Sequence, residues 1–444
     1  MMSTAAATRP HPIRVLMITS DHLMIDRRIL QEAQTLRQAG YEVEILAGFE
    51  CAMPSSYEHN GVRIKRFKFD WVDPRVDWAR PLLRWTPRRL RNGLLRIGRR
   101  AVALITGISS FERFVLQQIL ANSYDVLHCH DFPLLAAAVE AKHRRKKLLV
   151  YDAHELYHAQ AVLPERTQLR YRRRECRLIR HADLTITVNP FIAQIMAKDY
   201  GCAVPEVLLN AAPRTPRELG EKGLRELLHL DQRDQIVLYQ GWMSRERGID
   251  CLVQAARTFP PHVRLVLIGY GDYEQELRHL SIKQGTDDGR VIFVGQVASA
   301  DLAPLTRSAD LGVIPYHDVD FNHYYSSPNK LFEYAVAGLP FIGNDLPFLR
   351  SIVDKYGFGA IADLREPKTT AAAILSLLRD PPRLATMRTL AEKAGAELNW
   401  EKEGEKLLAL YERTVTSRPD ATSAPPLDGS VVARDRKAGP PVAR

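Results

Sequence analysis

The chain has 444 residues, an apolar fraction of 45% and a formal net charge of +10 at pH 7. This length exceeds what one ordinary hydrophobic core can hold and predicts two domains of roughly 200 residues each. The composition excludes a largely disordered chain, and no run approaches the roughly 20 apolar residues that span a bilayer.

In the first half, short apolar runs alternate with segments of helical spacing. Residues 1–11 are expected to be a flexible N-terminus. Strands are predicted at residues 13–18, 43–46, 126–130, 148–151 and 184–188, and helices at 27–39 and 134–141. This alternation implies right-handed crossovers and a doubly wound parallel sheet, which is an α/β fold. We expect an N-terminal Rossmann-like domain over residues 12–208.

The same alternation restarts in the second half of the chain. Strands are predicted at residues 236–239, 263–268, 291–294 and 311–314. A second Rossmann-like domain is therefore expected over residues 209–398, and ligands of such sheets bind at the carboxyl ends of the strands. Residues 416–444 contain five prolines and few apolar residues, which predicts a disordered tail.

Residues 326–340 carry the strongest functional signal. Pro328, Asn329 and Lys330 predict the start of a helix, and Gly338 with Pro340 predicts its end. The free N–H groups of the first turn, together with the helix dipole, form an anion site. Glu333, one turn further on, is placed to accept hydrogen bonds from sugar hydroxyls. A helix that binds pyrophosphate and ribose together indicates a nucleotide-sugar enzyme.

A basic segment at about residues 71–114 interrupts the alternation. Between Arg63 and Arg100 there are 13 arginine or lysine residues and three aspartates. Residues 88–104 form a basic amphipathic segment. It is typical of a helix lying on an anionic membrane, but also of a surface helix that packs its leucine face on its own domain. We expect peripheral membrane contact here.

Five groups of residues, in this order, resemble group 1 glycosyltransferases of the GT-B fold. They are Asp26-Arg27-Arg28 with Glu32, Ala33 and Leu36; His128-Cys129-His130-Asp131; Tyr151-Asp152-Ala153-His154-Glu155-Leu156; Leu238-Tyr239-Gln240-Gly241; and residues 327–340, the branch with Pro-Asn-Lys-Leu-Phe-Glu-Tyr. The resemblance implies a retaining, metal-independent enzyme that transfers a sugar from a nucleotide diphosphate, with no cofactor. It also implies that residues 399–415 form a helix crossing back to the N-terminal domain.

The resemblance assigns the donor side to the second domain. Arg247 and Lys330 are the expected catalytic cations, although Trp242 occupies a position that is usually basic, and Arg245 is the expected substitute for that charge. Tyr325 stands where the family has its first glutamate. Two alternatives follow: neighbouring residues replace the usual sugar-hydroxyl contact (His323, Tyr324, Ser326 and Ser327), or the donor sugar differs. The expected donor-binding residues are Gly241, Arg245, Gly269, Gly271, Ser327, Asn329, Leu331 and Glu333.

The resemblance assigns the acceptor side to the first domain. His130, at the end of a predicted strand, is the expected catalytic residue facing the donor sugar as a neutral imidazole. Asp131, His154 and Glu155 are the expected acceptor-side residues. His128 and His130 form a His-x-His pair, but carboxylates or cysteines at ligand spacing are missing, so no metal site is expected.

We expect a cytoplasmic transferase of polysaccharide biosynthesis, either free in the cytosol or at the cytosolic face of the membrane, acting on a lipid-linked or surface-glycan acceptor. The five widely spaced cysteines and the absence of a secretory pattern agree with that compartment. Two alternatives stay open: a nucleotide-sugar 2-epimerase of the same fold, and a non-catalytic membrane-associated module. Specific nucleic-acid binding is not expected, because no stacking surface or recognition motif is present.

Overall fold

The computed structural model of the protein describes residues 11–21, 24–50, 53–69, 72–216 and 220–417. The predicted flexible N-terminus lies outside the described residues except for residue 11. The predicted tail lies outside them beyond residue 417. Within the described ranges, no helix combines the length and apolar character that crossing a bilayer requires.

The first half forms one eight-stranded sheet, in the order β3-β4-β2-β1-β5-β6-β7-β8. Its strands are β1 Arg14–Ile18, β2 Glu42–Ala47, β3 Ser55–His59, β4 Val62–Arg66, β5 Val126–His130, β6 Leu148–Ala153, β7 Leu184–Thr187 and β8 Glu206–Val207. All neighbours are parallel except β3, which pairs antiparallel with β4 at the sheet edge. The hairpin β3–β4 was not predicted, because every residue of β3 is exposed and the strand lacks an apolar face.

Within the described residues, the first half contains seven α-helices. They are α1 Arg27–Gln38, α2 Pro74–Asp77, α3 Arg88–Thr106, α4 Ser110–Leu120, α5 Phe132–Arg145, α6 Glu165–Leu178 and α7 Pro190–Tyr200. Local sequence explains their starts: the side chain of Asp26 caps α1, and Ser109 and Glu112 form a reciprocal capping box on α4. Residues Tyr157–Ala159 and Ile179–His181 form short 3-10 turns.

The second half forms a six-stranded parallel sheet, in the order β11-β10-β9-β12-β13-β14. Its strands are β9 Gln235–Gln240, β10 Val263–Ile268, β11 Val291–Gly295, β12 Leu311–Ile314, β13 Phe341–Gly343 and β14 Gly359–Ile361. Its helices are α8 Leu224–Leu227, α9 Ile249–Ala255, α10 Glu274–Gln284, α11 Ser299–Arg307, α12 Phe321–Tyr324, α13 Asn329–Ala337, α14 Pro347–Tyr356, α15 Pro367–Leu378 and α16 Pro381–Glu397, with 3-10 turns at Arg245–Arg247 and Ala256–Thr258.

The last helix, α17 Trp400–Thr416, packs on the first half of the chain. The indole N–H of Trp400 donates to Thr35 Oγ1 at 2.9 Å. The Tyr411 hydroxyl lies 2.7 Å from His128 Nδ1 in the buried interior of the first half of the chain, so His128 has a structural partner. The helix includes Thr416, the first residue of the predicted tail.

The predicted fold class is confirmed: two Rossmann-like parallel sheets form a GT-B architecture, and its last helix crosses back to the first domain. In each sheet the strand order reverses direction beside the first strand, at β1–β5 and at β9–β12. Ligands of doubly wound folds bind at such switch points. The proposed domain boundaries at residues 208 and 398 stay a prediction.

Candidate functional site

A cavity of about 560 Å³ lies between the carboxyl ends of the two sheets. Both halves of the chain contribute to its walls. Eight residues proposed from the sequence line it: His154, Glu155, Gly241, Arg247, Ser327, Asn329, Lys330 and Glu333. Larger hollows exist elsewhere on the surface, but this cavity is the one at the switch points of both sheets.

Two cations lie in this cavity against the ring of Tyr316. The Arg247 guanidinium carbon is 4.2 Å from the ring centroid, and Lys330 Nζ is 4.4 Å from it. Lys330 Nζ also donates to the Tyr316 hydroxyl at 2.7 Å and lies 4.5 Å from the ring centroid of Tyr239. Burial, reinforced by the charge of Arg247, holds the pKa of Lys330 well below its usual value, and Glu333 opposes the shift only in part.

Several buried polar atoms beside these cations form no hydrogen bond within the described part of the chain. They are Arg247 Nε and the hydroxyls of Ser326 and Ser327. Buried polar groups in folded proteins are nearly always satisfied, so this set is suited to a polar ligand. Burial also lowers the pKa of Arg247.

The N-terminus of helix α13 lies at the wall of the same cavity. Pro328 precedes the first turn, and the amides of Asn329 and Lys330 have no partner within the helix because of their position. The chain leaves the helix at Gly338, whose φ of 69° is in the left-handed region. Leu331 is an expected donor-binding residue, but its side chain is fully buried in the hydrophobic core of the second half of the chain. Its backbone N–H donates to Pro328 O. Leu331 therefore anchors the helix behind the site.

Glu333 lies one turn into α13 and faces the cavity. One carboxylate oxygen accepts from Gln240 Nε2, and the other pairs with Arg27, which belongs to the first half of the chain. Gln240 is oriented by Thr306, whose hydroxyl donates to its amide oxygen at 2.8 Å. Arg27 and Gln240 were quoted in the resembling motifs but not predicted as site residues.

The three glycines of the predicted donor side have different roles. Gly241 lines the cavity with φ 118°. A Cβ at Gly269, which has φ 134°, would overlap the carbonyl oxygen of Gly241, and a Cβ at Gly271 would overlap that of Met243. Neither is among the residues that line the cavity. Gly269 and Gly271 therefore support the 241–243 segment from behind.

Arg245 does not take the position expected of it. Its side chain is exposed, lies over the ring of Tyr273 at 4.5 Å and approaches Glu276 at 3.5 Å. It is absent from the cavity wall, where Trp242 lies instead with its ring packed edge-on against Tyr270. Arg247 therefore contributes the guanidinium of this loop to the cavity.

His154, and not His130, forms the cavity wall on the first half of the chain. His130 was expected to face the donor sugar, but it is fully buried, with its Nδ1 3.2 Å from His154 Nε2. Burial lowers the pKa of His130, so its imidazole is neutral. Burial disfavours the charged form of His154 too, but Asp131 and Asp152 raise its pKa to about 10. His154 is therefore an imidazolium at neutral pH.

A buried ionic network fixes the position of His154. Arg28 donates to Asp152 at 2.9 Å and to Glu32 at 2.9 Å, and Asp152 Oδ2 lies 3.2 Å from His154 Nε2. Asp131 accepts the His154 backbone N–H at 2.9 Å. The backbone of Asp131 has φ 61°, an unfavourable conformation for a residue with a Cβ, which indicates a position set by the site.

The fold brings together a possible metal-binding set that sequence spacing did not show. Ligand atoms of Glu32, His128, His130 and Asp152 lie within 4.8 Å of one another, so the expected lack of nearby carboxylates was wrong. The guanidinium of Arg28, however, already contacts both carboxylates. This fixed positive charge disfavours a divalent cation, and the expectation that no metal binds here stays a prediction.

Residues 320–327 of the second half of the chain form hydrogen bonds and packing contacts with the first half. Glu155 accepts from Asn322 Nδ2 at 2.7 Å, and Asp320 accepts from the backbone of Ala161 at 2.8 Å. Asn189 donates to Tyr325 O at 2.8 Å, and the Tyr325 ring packs near Phe191. Tyr325 therefore replaces the family's glutamate with a packing contact between the two halves.

Two facing Rossmann-like domains with a cavity between their carboxyl edges define the GT-B class of glycosyltransferase folds. Two family models match the chain: "Glycosyl transferase 4-like domain" over residues 25–214 and "Glycosyl transferases group 1" over residues 234–380. The chain belongs to the group 1 glycosyltransferases. Its membership of the Pro-Asn-Lys-Leu-Phe-Glu-Tyr branch stays a prediction.

Individual proteins with similarity to the chain are distant. A D-inositol 3-phosphate glycosyltransferase of Xylanimonas cellulosilytica is 28% identical over 225 residues, 50% of this chain and 51% of that protein. O-antigen chain mannosyltransferase B of Escherichia coli is 28% identical over 170 residues, 37% and 42% of the two chains. The chain thus matches about half or less of their length. The structure of Anabaena HepE with UDP and glucose is 17% identical, covers 91% of this chain and 100% of that one, and has a TM-score of 0.67, which shows the fold alone.

Because the backbone of Gly241 lies so close to Gly269, we expect Gly269→Ala to lower the free energy of unfolding strongly. The added methyl meets a backbone oxygen and the φ is unfavourable, so the free energy of unfolding should fall by about 2 kcal/mol or more. Gly285→Ala is the matched control: its φ is also positive, but nothing lies within 4 Å of the added Cβ. Its free energy of unfolding should fall by only about 1 kcal/mol. Urea unfolding of both variants measures this. Equal costs would contradict a packing role for Gly269.

Proposed function

We propose that this protein transfers a sugar from a nucleotide diphosphate sugar, bound in the cavity between the two sheets, to an acceptor hydroxyl. The observation that carries the proposal is a pair of cations, the buried Lys330 and the half-buried Arg247, beside the N-terminus of α13. Two adjacent cations in a buried cavity repel each other and each loses hydration. A diphosphate compensates both effects and satisfies the helix amides and Arg247 Nε.

Glu333 is the proposed acceptor for the ribose hydroxyls of the donor. It lies one turn from the diphosphate position and already has Gln240 fixing one of its oxygens. Its other oxygen is engaged by Arg27, so a bound ribose would share or replace that ion pair. Gly241, Ser327 and Asn329 line the remaining donor wall. The uridine diphosphate and glucose bound to HepE support this ligand class.

The chemistry of the proposed reaction rests on charge stabilisation and positioning. The bond between the anomeric carbon and the diphosphate oxygen breaks while a bond to the acceptor oxygen forms. Negative charge develops on the leaving diphosphate, where Lys330, Arg247 and the α13 amides stabilise it. Because Arg247 and the α13 amides keep their positive charge, and Lys330 is protonated in the proposed complex with the diphosphate, the proposed reaction needs no metal. With retention, the departing phosphate takes the acceptor proton on the same face of the sugar.

His154 and Glu155 are proposed to position the acceptor. Both line the cavity from the first half of the chain, and His154 is held in place by Asp131 and Asp152. As an imidazolium, His154 donates a hydrogen bond to a sugar hydroxyl or stabilises negative charge, but it cannot act as a base. His130, behind it, is proposed to set the orientation of the His154 ring.

We further propose that the acceptor is lipid-linked or part of a surface glycan, and that α3 rests on an anionic membrane. Leu90, Leu94, Ile97 and Leu104 fall on one face of α3, and all four are exposed; Leu104 is 86% exposed. Within α3 only Leu95 is buried, so the leucine face does not pack on its own domain. Trp78 and Trp85 extend the same exposed apolar character, and Trp85 is 83% exposed. The name of the E. coli relative, which refers to an O-antigen chain, agrees with such an acceptor.

The donor site predicts selective stabilisation by one family of nucleotide sugars. A ligand held at 100 times its dissociation constant should stabilise the protein by about 2.7 kcal/mol. Thermal shifts with UDP-, GDP-, ADP-, CMP- and TDP-sugars, with and without magnesium, measure this. The sugars of one nucleotide should raise the melting temperature, and magnesium should not change this thermal shift. Glu333→Ala should weaken the shift strongly. The control variant Glu405→Ala, at an exposed residue, should show the same shift as the wild type.

No shift with any nucleotide would contradict the donor site and favour the non-catalytic module. Product analysis separates the remaining alternative. Epimerisation of the bound nucleotide sugar in the absence of an acceptor would identify a 2-epimerase, whereas a transferase leaves that sugar's configuration unchanged.

The exposed α3 face predicts that its leucines drive membrane binding. Replacing Leu90, Leu94 and Ile97 by serine removes apolar area that would be buried in the lipid interface, so binding to phosphatidylglycerol-containing vesicles should weaken about tenfold or more. The control replaces exposed apolar residues elsewhere, Val204, Leu227 and Ile282, by serine. Vesicle co-sedimentation measures both. Unchanged binding of the α3 variant, or wild-type protein that stays in solution, would contradict membrane docking.

A further inference from the structure

The cavity between the two sheets carries an exposed aromatic ring in place of a charged side chain. Trp242 lines this cavity and is 43% exposed, at a position that is usually basic in group 1 glycosyltransferases. Arg245 does not restore the charge, because its side chain lies over the ring of Tyr273 and is not part of the cavity wall. A large apolar ring that faces water inside a polar cavity indicates a contact surface for a ligand.

The loop that carries this ring is held in place by its neighbours. The Tyr239 hydroxyl donates to Trp242 O at 2.7 Å. The next residue, Met243, donates its backbone N–H to Tyr270 O at 2.8 Å. The ring of Tyr270 packs edge-on against that of Trp242, with 5.1 Å between the ring centroids. A ligand that stacks on Trp242 therefore meets a supported ring, so less conformational entropy is lost on binding.

Three consecutive residues of this loop follow the order of the groups in the proposed donor. Gln240 donates to Glu333, the proposed acceptor for the ribose hydroxyls. A Cβ added at Gly241 would lie 3.6 Å from Lys330 Nζ, which is proposed to bind the diphosphate. Trp242 comes next in this order. In a nucleotide diphosphate sugar, the group that follows the ribose and the diphosphate is the transferred sugar.

The first half of the chain approaches the same part of the cavity. The Tyr270 hydroxyl lies 3.9 Å from Met24 Sδ, so the residue that supports Trp242 contacts the first half of the chain. His154 and Glu155, which are proposed to position the acceptor, line the same cavity from that half. Trp242 thus lies where the two halves meet, and the transferred sugar must lie there to reach the acceptor.

We propose that Trp242 is a stacking platform for the transferred sugar, and that this sugar is a neutral hexose whose C–H face packs on the indole ring. The inference rests on the proposed donor site. A pyranose ring has an apolar face of C–H groups with slightly positive hydrogens, and the face of an aromatic ring is negative. The same negative face disfavours a carboxylate, so a uronic acid is the poorer donor. A basic residue at this position would have the opposite preference.

Isothermal titration measures how much affinity the sugar adds to the nucleotide. The probes are UDP-, ADP- and TDP-glucose, UDP-galactose and GDP-mannose, each compared with its own nucleoside diphosphate in the absence of an acceptor. For the wild type, at least one neutral sugar should raise the affinity about tenfold or more. Trp242→Ala should lose this gain but bind the nucleoside diphosphate as tightly as the wild type does.

Two further variants make the test specific to an aromatic ring in the cavity. Trp242→Phe retains a smaller aromatic face and should keep a gain of about threefold. The matched control is Tyr57→Ala, which removes an aromatic residue of β3 that is also 43% exposed. This control should keep the full gain.

A charged sugar supplies a second readout. The wild type should bind UDP-glucuronic acid or GDP-mannuronic acid more weakly than the corresponding neutral donor. Trp242→Arg should reverse this order, because a guanidinium group pairs with the carboxylate.

The outcomes separate this inference from the proposed function. A wild-type protein that binds a nucleoside diphosphate but gains nothing from a neutral sugar would overturn the platform and leave the donor site intact. A gain that Trp242→Ala keeps in full would do the same. Failure to bind any of the nucleoside diphosphates would contradict the proposed function and the platform together. A Trp242→Ala variant that raises only the KM of the acceptor, with the donor affinities unchanged, would assign the ring to the acceptor and overturn the inference.

Discussion

Two cations against one tyrosine ring, one buried and one half-buried, are the constraint around which the cavity is organised. Lys330 and Arg247 approach the ring of Tyr316 from different secondary-structure elements, and burial weakens the charged form of both. The aromatic rings of Tyr316 and Tyr239 and the hydroxyl of Tyr316 partly replace the lost hydration. The diphosphate proposed to bind at the α13 N-terminus would complete this compensation. In that proposal the positive groups are already in place before the ligand binds.

The closed arrangement of the two halves depends on the same region. Residues 320–327 lead directly into α13, and they hydrogen-bond to the first half of the chain through Asn322, Asp320 and the backbone of Tyr325. Glu333 adds the ion pair with Arg27. The segment that leads into the proposed anion site thus also carries contacts across the cleft, and this physically couples the proposed donor site to the contacts between the two halves. In enzymes that close around a donor, closure excludes water and limits hydrolysis.

The sequence predicted those features that depend on local patterns. The strands β1, β5, β9 and β10 are continuous apolar runs, and α13 is marked by Pro328 and Gly338, so the fold and the anion site could be inferred. The polar hairpin β3–β4 has no such pattern and was missed.

Side-chain direction could not be read from local patterns. Arg27 and Glu333 are 306 positions apart, so their pairing exists only in the folded chain. Arg245 and Arg247 lie two residues apart in the same loop, and the sequence does not distinguish their roles. In the 3-10 turn the side chain of Arg245 is exposed to solvent, whereas that of Arg247 lines the cavity. His130 ends its strand as predicted, but His154, the residue directly after the neighbouring strand β6, lies between it and the cavity.

Isothermal titration of a nucleoside diphosphate, performed in buffers of different ionisation enthalpy between about pH 7 and 10, tests the central claim most directly. In the free protein the pKa of Lys330 is well below its usual value, and a bound diphosphate raises it again. Binding should therefore take up protons once the pH exceeds the depressed pKa, and affinity should fall as the pH rises. Lys330→Met should abolish the uptake and the exposed Lys355→Met should not. Tight binding without proton uptake across the whole range would contradict the account.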